Sequence, residues 1–197
     1  MSNACNPSDL LPGADCAELI LHLARVAQSG AAAGELTPAQ WTALRYFARA
    51  NRFSRTPSAF SQFHATTRGT ASQTVKSLVA LGLLSRQANA SDGRSALFEV
   101  TEAGQARLQD DPLAELAAVL ADLPADLRTS FATALQRATA ALARKRATPM
   151  FGNCRDCGHC EEGARDAYCH CTQSGLMAAE MGQLCVDFRP LPQRSEG

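Results

Sequence analysis

Apolar positions recur at helical spacing through most of the chain, and polar stretches cut the pattern into blocks. Cys16, Leu19, Ile20, Leu23, Val26 and Ala27 share one side of a first amphipathic helix that ends at Gly30. After the loop GAAAGE, Thr37 and Pro38 read as N-cap and first residue of a second helix, with Trp41, Leu44, Phe47 and Ala48 on one side. Thr56 and Pro57 repeat that start signal and open a short helix carrying Ala59, Phe60 and Phe63. The polar turn HATT leads into RGTASQTVKSLVALGLL. Here Ala71, Val75, Leu78 and Gly82 share one face, Gly69, Gln73, Lys76 and Ala80 take the other, and Gly82 stands where a helix-ending glycine is expected.

Two short strand-like runs then flank Ser91-Asp92-Gly93-Arg94, a turn by its residue types. Helix, helix, turn, helix and β-hairpin in that order predict a winged helix. After TEAG come a short helical pattern over 112–121 and a longer one from about Asp126, with Leu127, Phe131, Leu135 and Leu142 inward and the basic run Arg144-Lys145-Arg146 at its end. ATPMFG reads as a linker and PQRSEG as a disordered tail.

At 197 residues the chain can bury a core without help from disulfides or metals, so one domain plus an appendage is the expected count. The start of the chain has no basic targeting region, and the apolar run near it is broken by His22 and Arg25, too short and polar to span a membrane. The expectation is a cytoplasmic protein. In that reducing compartment clustered cysteines are metal ligands or redox groups sooner than structural disulfides.

Net charge is zero, but over 45–94 eight basic residues (Arg45, Arg49, Arg52, Arg55, Arg68, Lys76, Arg86, Arg94) face one acidic residue, Asp92. Such a local excess suits a phosphate backbone, although on charge alone a solvated basic face is the commoner explanation. The order of motifs favours DNA. A major groove about 12 Å wide admits one helix, whose outer side must carry donors and acceptors. Arg68, Thr70, Ser72, Gln73 and Lys76 meet that need, and Gly69 allows close backbone approach. Gln73 suits adenine, and Arg68 suits guanine or phosphate.

LTPAQWTALRYFAR, TASQTVKSLVALGLLSR and SDGRSALFEVTEAG together resemble the MarR family of bacterial transcription regulators, over about 36–104. The resemblance implies a mainly α fold with a small β-hairpin wing (α+β), a winged helix-turn-helix whose flanking helices build a homodimer on a near-palindromic double-stranded DNA. It also implies that Asp92 steadies Arg94, the wing residue that enters the minor groove. The chain departs from the family in the later recognition helix. SLVALGLL is nearly bare of charge, so Leu81 and its neighbours are expected to contact another part of the protein. Family members often bind a small aromatic compound between winged helix and dimer helices. Trp41, Tyr46, Phe47 and Phe53 are the candidates for lining such a pocket, with the core as their competing place.

CRDCGHCEEGARDAYCHC, at 154–171, holds five cysteines and two histidines, and Cys185 follows. A C-x2-C turn points two thiolates at one centre, and a second pair closes a four-coordinate site. YCHCTQSGLMAAEMGQLCVDF resembles a short bacterial and archaeal pattern in which four cysteines bind one metal centre. That match selects Cys154, Cys157, Cys169 and Cys185, leaving Cys160 and Cys171 as additional or alternative ligands. Iron–sulfur, as a 4Fe-4S cluster, and zinc both accept this set. The C-x2-C-x2-C start resembles bacterial ferredoxins, six cysteines exceed what one structural zinc needs, and the loop from Cys160 to Cys169 is long. Against iron–sulfur, Val186 stands after Cys185 where ferredoxins have proline. A metal-free thiol switch is the third reading. His159 and His170 are ligands or exposed spacers, Cys16 a small buried hydrophobe, and Cys5 inert.

The expected domains are 1–147, the winged helix with its dimerisation helices; 148–192, a cysteine-rich metal module; and 193–197, a tail. The expected function is a DNA-binding regulator, acting as a repressor, controlled through the dimerisation helices by a cluster that responds to redox state, oxygen or iron. The alternatives are an aromatic-responsive regulator with structural zinc and an iron–sulfur electron-transfer or accessory module. No pattern of an enzyme stands in the sequence, and a metal with four cysteine ligands offers no open position to a substrate.

Overall fold

The computed structural model describes residues 12–28, 36–88, 96–163 and 166–191. Seven helices are described: α1 (Gly13–Gln28), α2 (Pro38–Arg49), α3 (Pro57–Phe63), α4 (Arg68–Ala80), α5 (Glu102–Leu108), α6 (Leu113–Ala121) and α7 (Ala125–Arg146). Between α4 and α5 lies an antiparallel pair, β1 (Leu84–Ala88) and β2 (Ala96–Val100), in register Leu84↔Val100 through Ala88↔Ala96. The fold is thus mainly helical with a two-stranded wing. Asp92 and Arg94 lie outside the described residues, as do Cys5 and the tail over 193–197.

Local chemistry sets the helix starts. Thr37 and Gln40 form a reciprocal cap: the Gln40 N–H donates to Thr37 Oγ1 (3.3 Å) and the Thr37 N–H to Gln40 Oε1 (2.7 Å). Thr56, Thr67 and Thr101 each accept from the N–H three residues on, starting α3, α4 and α5. Gly82, with φ +71°, turns the chain after α4, as a glycine there should. The sequence reading places no helix at α5, its next helical pattern beginning only at residue 112. Thr101 caps it, and Gly104 is needed where it crosses the chain: a Cβ there would stand 2.3 Å from the Leu83 carbonyl oxygen.

The core joins α2, α3, α4 and the wing. Trp41, Leu44, Tyr46, Phe47, Phe60, Val75, Leu78 and Leu84 are all at most 2% exposed. Trp41, Tyr46 and Phe47 are therefore core residues. Leu81, expected to touch another part of the protein, is 55% exposed; the sparse charge of SLVALGLL serves the buried face through Leu78 instead.

The flanking helices behave differently. α1 packs against α6 but buries no residue, leaving Leu19, Ile20 and Val26 about half exposed. Leu127 and Leu142 of α7, expected inward, are 52% and 48% exposed, and Cys16 is exposed too. Helical periodicity marks which side of a helix is apolar, and one chain alone does not cover that side here. Among the described residues no helix is long and apolar enough to cross a membrane.

The segment after α7 forms short antiparallel pieces: β3 (Gly152–Asn153) with β7 (Leu184–Cys185), and a sheet of β4 (Cys160–Glu162), β5 (Ala167–Cys169) and β6 (Ser174–Leu176). It does not hang from a free linker. Phe151, inside the expected linker, packs edge-on against Tyr46 (6.3 Å) and Phe63 (5.1 Å), and Leu184 joins the winged-helix core.

Replacing Gly104 by alanine should cost about 1–3 kcal/mol, since the added methyl must push the Leu83 backbone aside. A urea midpoint equal to that of the unaltered chain would contradict this packing.

Candidate nucleic-acid interface and candidate metal centre

Two faces of the winged helix carry chemistry. On the first, α4 buries Ala71, Val75 and Leu78 and turns the opposite side outward. Arg68, Thr70, Gln73 and Lys76 are exposed and Ser72 is half-buried, so the five residues read from the sequence share the outer side of one helix. Thr70 is partly occupied, its hydroxyl lying 2.9 Å from that of Thr67. A cleft of about 400 Å³ runs between this helix and the wing, lined by Ser72, Lys76, Arg86 and Phe98 among others.

The basic span is not all available to a ligand. Arg45 pairs with Asp111 (2.7 Å), Arg52 with Glu180 (2.7 Å) and Arg55 with Glu99 (3.0 Å). Arg55 also donates to the Ala50 carbonyl, while the Phe98 N–H donates to the Arg55 carbonyl, tying the wing to the α2–α3 turn. Three of the eight cations thus hold the fold together.

The second face is that turn, and the cysteine-rich segment sits on it. Cys154, Cys157, Cys169 and Cys185 are 4%, 6%, 8% and 5% exposed, whereas Cys160 is half-buried and Cys171 exposed. Burial therefore separates the four cysteines of the aromatic-Cys pattern from the two extra ones. Successive turns place the first three, with the Cys157 N–H donating to the Cys154 carbonyl (3.1 Å) and the Cys160 N–H to that of Cys157 (3.0 Å). Cys169 ends β5 opposite Cys160, and Cys185 ends β7 opposite Gly152. His170 pairs on the surface with Glu161 (2.7 Å), and its backbone N–H donates to the His159 carbonyl.

The thiols feel one another and their burial. Burial pushes the Cys154 thiol up to about 11, with repulsion from Cys185, Cys160 and Cys169 adding and the Asn51 amide opposing. Cys185 is raised by burial as well, against hydrogen bonds from Asn51, the Asp187 backbone and Ser54 that favour its thiolate. Thiolates gathered out of water call for a cation. Among the described residues, no three His, Cys, Asp or Glu side chains already stand close enough together to hold a metal ion. The donors that would serve thiolate ligands are nevertheless present: Asn51 Nδ2 lies 4.0 Å from Cys154 Sγ, and the Arg189 N–H donates to Cys157 Sγ (3.4 Å).

Sequence reasoning missed the residues that join the two faces. The Asn51 N–H donates to the Leu184 carbonyl (2.9 Å), and the Val186 N–H to Ser54 Oγ (2.9 Å). Arg52 reaches Glu180, 3% exposed, and the Gly175 carbonyl (2.7 Å), while lying 4.6 Å over the Phe53 ring. ANRFS reads as an ordinary polar break between helices, and nothing in it signals a partner more than a hundred residues away. These contacts also place the cysteine-rich segment on the α2–α3 turn, where the expected route of control ran through the dimerisation helices.

A helix-turn-helix core with a β wing and an outward polar helix is the architecture of winged-helix DNA-binding proteins. Residues 35–95 match the MarR family, so this part of the chain is similar to MarR-family winged helices. Among solved structures, the chain is similar to an S. aureus MepR–DNA complex at 17% identity (68% of this chain, 99% of that one, TM-score 0.55). It is likewise similar to a probable transcriptional regulator from Pseudomonas aeruginosa at 25% (67% and 98%, TM-score 0.50). A third is a mutant form of MarR from E. coli at 18% (66% and 98%, TM-score 0.51). About a third of this chain has no counterpart in them. No curated protein matches the sequence.

In metal-free protein, iodoacetamide should modify Cys171 well before Cys154, Cys157, Cys169 or Cys185, read by peptide mass mapping. Uniform labelling of all six would show that burial does not separate them.

Proposed function

We propose that the protein is a homodimeric transcription regulator that reads a near-palindromic DNA duplex with α4 and the wing, and whose affinity is set by a metal centre on Cys154, Cys157, Cys169 and Cys185. The observation that carries this reading is the sorting by burial: the four thiols of the pattern are buried, in a segment that is hydrogen-bonded to the turn leading into α3 and α4. An iron–sulfur cluster of the 4Fe-4S type is the centre that the cysteine pattern favours, and zinc is its competitor. When bound, either would neutralise the crowded thiolates. Nothing in a four-thiolate centre is left open for a substrate, which favours a regulator over an enzyme.

The DNA half rests on the family match, on the outward set Arg68, Thr70, Ser72, Gln73 and Lys76, and on the S. aureus relative seen with DNA. Asp92 and Arg94 keep the role that the family resemblance implies. The exposed apolar sides of α1, α6 and α7 support a dimer. Two recognition helices must then span half-sites about 34–36 Å apart, so small changes in their orientation alter affinity. The cleft beside Trp41, bounded by Arg45, Pro112 and Leu113, encloses only about 10 Å³, room for one water and not for an aromatic effector.

Protein isolated under nitrogen should be brown, contain iron and sulfide, and change its DNA affinity as air bleaches it. Colourless protein with one zinc per chain and equal affinity in both atmospheres would leave the metal structural, and a reversible redox couple without DNA binding would point to electron transfer. Changing Cys154, Cys157, Cys169 or Cys185 to serine should remove the centre, while Cys160→Ser and Cys171→Ser should keep it.

DNA affinity should fall with salt, log K losing about 0.9 per log unit of salt for each phosphate contacted. Gln73→Ala should relax one base position by about 1–3 kcal/mol. Equal losses on every sequence would show that Gln73 reads no base.

A further inference from the structure

α4 is held on the winged-helix core by Ala71, Val75 and Leu78, side chains whose packing has no preferred direction. Such packing fixes how closely the helix lies, and only loosely how it is rolled about its own axis. A polar contact between α2 and α4 does have direction. Gln40, half-buried in the first turn of α2, donates from Nε2 to Ser77 Oγ at 3.1 Å. Each group in this contact has its role assigned by a second bond. Gln40 Oε1 accepts the Thr37 N–H at 2.7 Å, so the amide turns its NH2 towards α4. Ser77 Oγ donates to the Thr74 carbonyl at 2.7 Å, so its hydrogen is spent and a lone pair is left for Gln40. Thr74 Oγ1 donates in the same way to the Thr70 carbonyl at 3.1 Å. Thr70, Thr74 and Ser77 thus follow one another along one side of α4, and Gln73 stands one turn before Ser77.

We infer that Gln40 is a positioning residue for base reading: the hydrogen bond from its amide to Ser77 sets the roll of α4, and with it the aim of Gln73. The inference rests on the reading of α4 as the helix that enters the major groove. Arg68 and Lys76 are long and flexible, and they find a phosphate oxygen over a range of helix rolls. A base edge offers its donors and acceptors at fixed places, and a bidentate amide pair tolerates far less error. A roll of α4 therefore costs sequence preference before it costs attraction to DNA. α2 supplies the reference for that roll, because Arg45 further along it pairs with Asp111 at 2.7 Å. The same Asp111 oxygen accepts the Leu113 N–H at 2.9 Å at the start of α6, and α6 packs on α1. The recognition helix is in this way aligned to the flanking helices that the dimer uses.

The test compares a duplex selected from random sequence by the unaltered full-length protein with a scrambled duplex of equal length, at one salt concentration. Ser77→Ala removes the acceptor, leaves the α2 cap and the outer residues of α4 in place, and puts a good helix former in the helix. It should lower affinity for the selected duplex about 3–10-fold, the worth of one hydrogen bond, and leave affinity for the scrambled duplex unchanged. Ser77→Thr keeps the hydroxyl and should keep the preference. Gln40→Ala should lose the preference too, and the double variant should lose no more of it than Gln40→Ala alone. Should Gln40→Ala not fold, the two Ser77 variants decide, since neither touches the cap. Full preference in Ser77→Ala, equal losses on both duplexes, a loss in Ser77→Thr as large as in Ser77→Ala, or additive losses in the double variant would overturn the role of Gln40. An unaltered protein that prefers no duplex over the scrambled one would sink the DNA reading itself, and this inference with it.

Discussion

The structure depends on satisfying a buried polar turn. Asn51 and Ser54 are among the most deeply buried residues of the chain, and both are polar. A buried donor or acceptor left unpaired costs about 1–3 kcal/mol, so the turn between α2 and α3 can lie under other chain only if that chain brings partners. The segment after α7 brings them: the Leu184 carbonyl for Asn51, the Val186 N–H for Ser54, and Glu180 with the Gly175 carbonyl for Arg52. A domain boundary at residue 147 therefore divides the chain by composition, while the hydrogen bonds cross it.

That arrangement gives the cysteines a double environment. Cys154, Cys169, Leu176 and Met181 form a small cluster of their own, to which Phe53 of the winged helix adds a side. Burial and the Asp187 carboxylate disfavour a Cys185 thiolate, while hydrogen bonds from Asn51, the Asp187 backbone and Ser54 favour it. The balance tips when positive charge arrives at the sulfurs. The hydrogen bonds of Asn51 and Ser54 to Leu184 and Val186 join the cysteine-rich segment to the winged helix directly.

What was legible in the sequence was local. Thr37-Pro38, Thr56-Pro57 and Gly82 act on their own helix ends, and Ala71, Val75 and Leu78 face inward by periodicity alone, so these elements stand where residue types place them. The cysteine subset came from a resemblance, and burial sorts the same four from the rest. What stayed hidden was non-local. Phe151 looks like part of a linker because no neighbour in sequence needs its ring, yet Tyr46 and Phe63 receive it. Leu127, Leu142 and Cys16 lie on apolar helix sides, but amphipathicity does not say whether the covering surface belongs to the same chain.

Charge shows the same division of labour. Arg45, Arg52 and Arg55 swell the basic count of the central span, yet each is drawn to a carboxylate elsewhere in the fold. The potential offered to a phosphate backbone then comes from the rest, of which Arg68 and Lys76 lie on the exposed side of α4. A change of charge at buried sulfurs reaches DNA phosphates poorly through solvent, because exposed charges are screened within about 8–10 Å at ordinary ionic strength. It acts without that screening on the amide in contact with it. The exposed charge on α4 is therefore what a phosphate backbone meets, whatever is bound among the buried sulfurs.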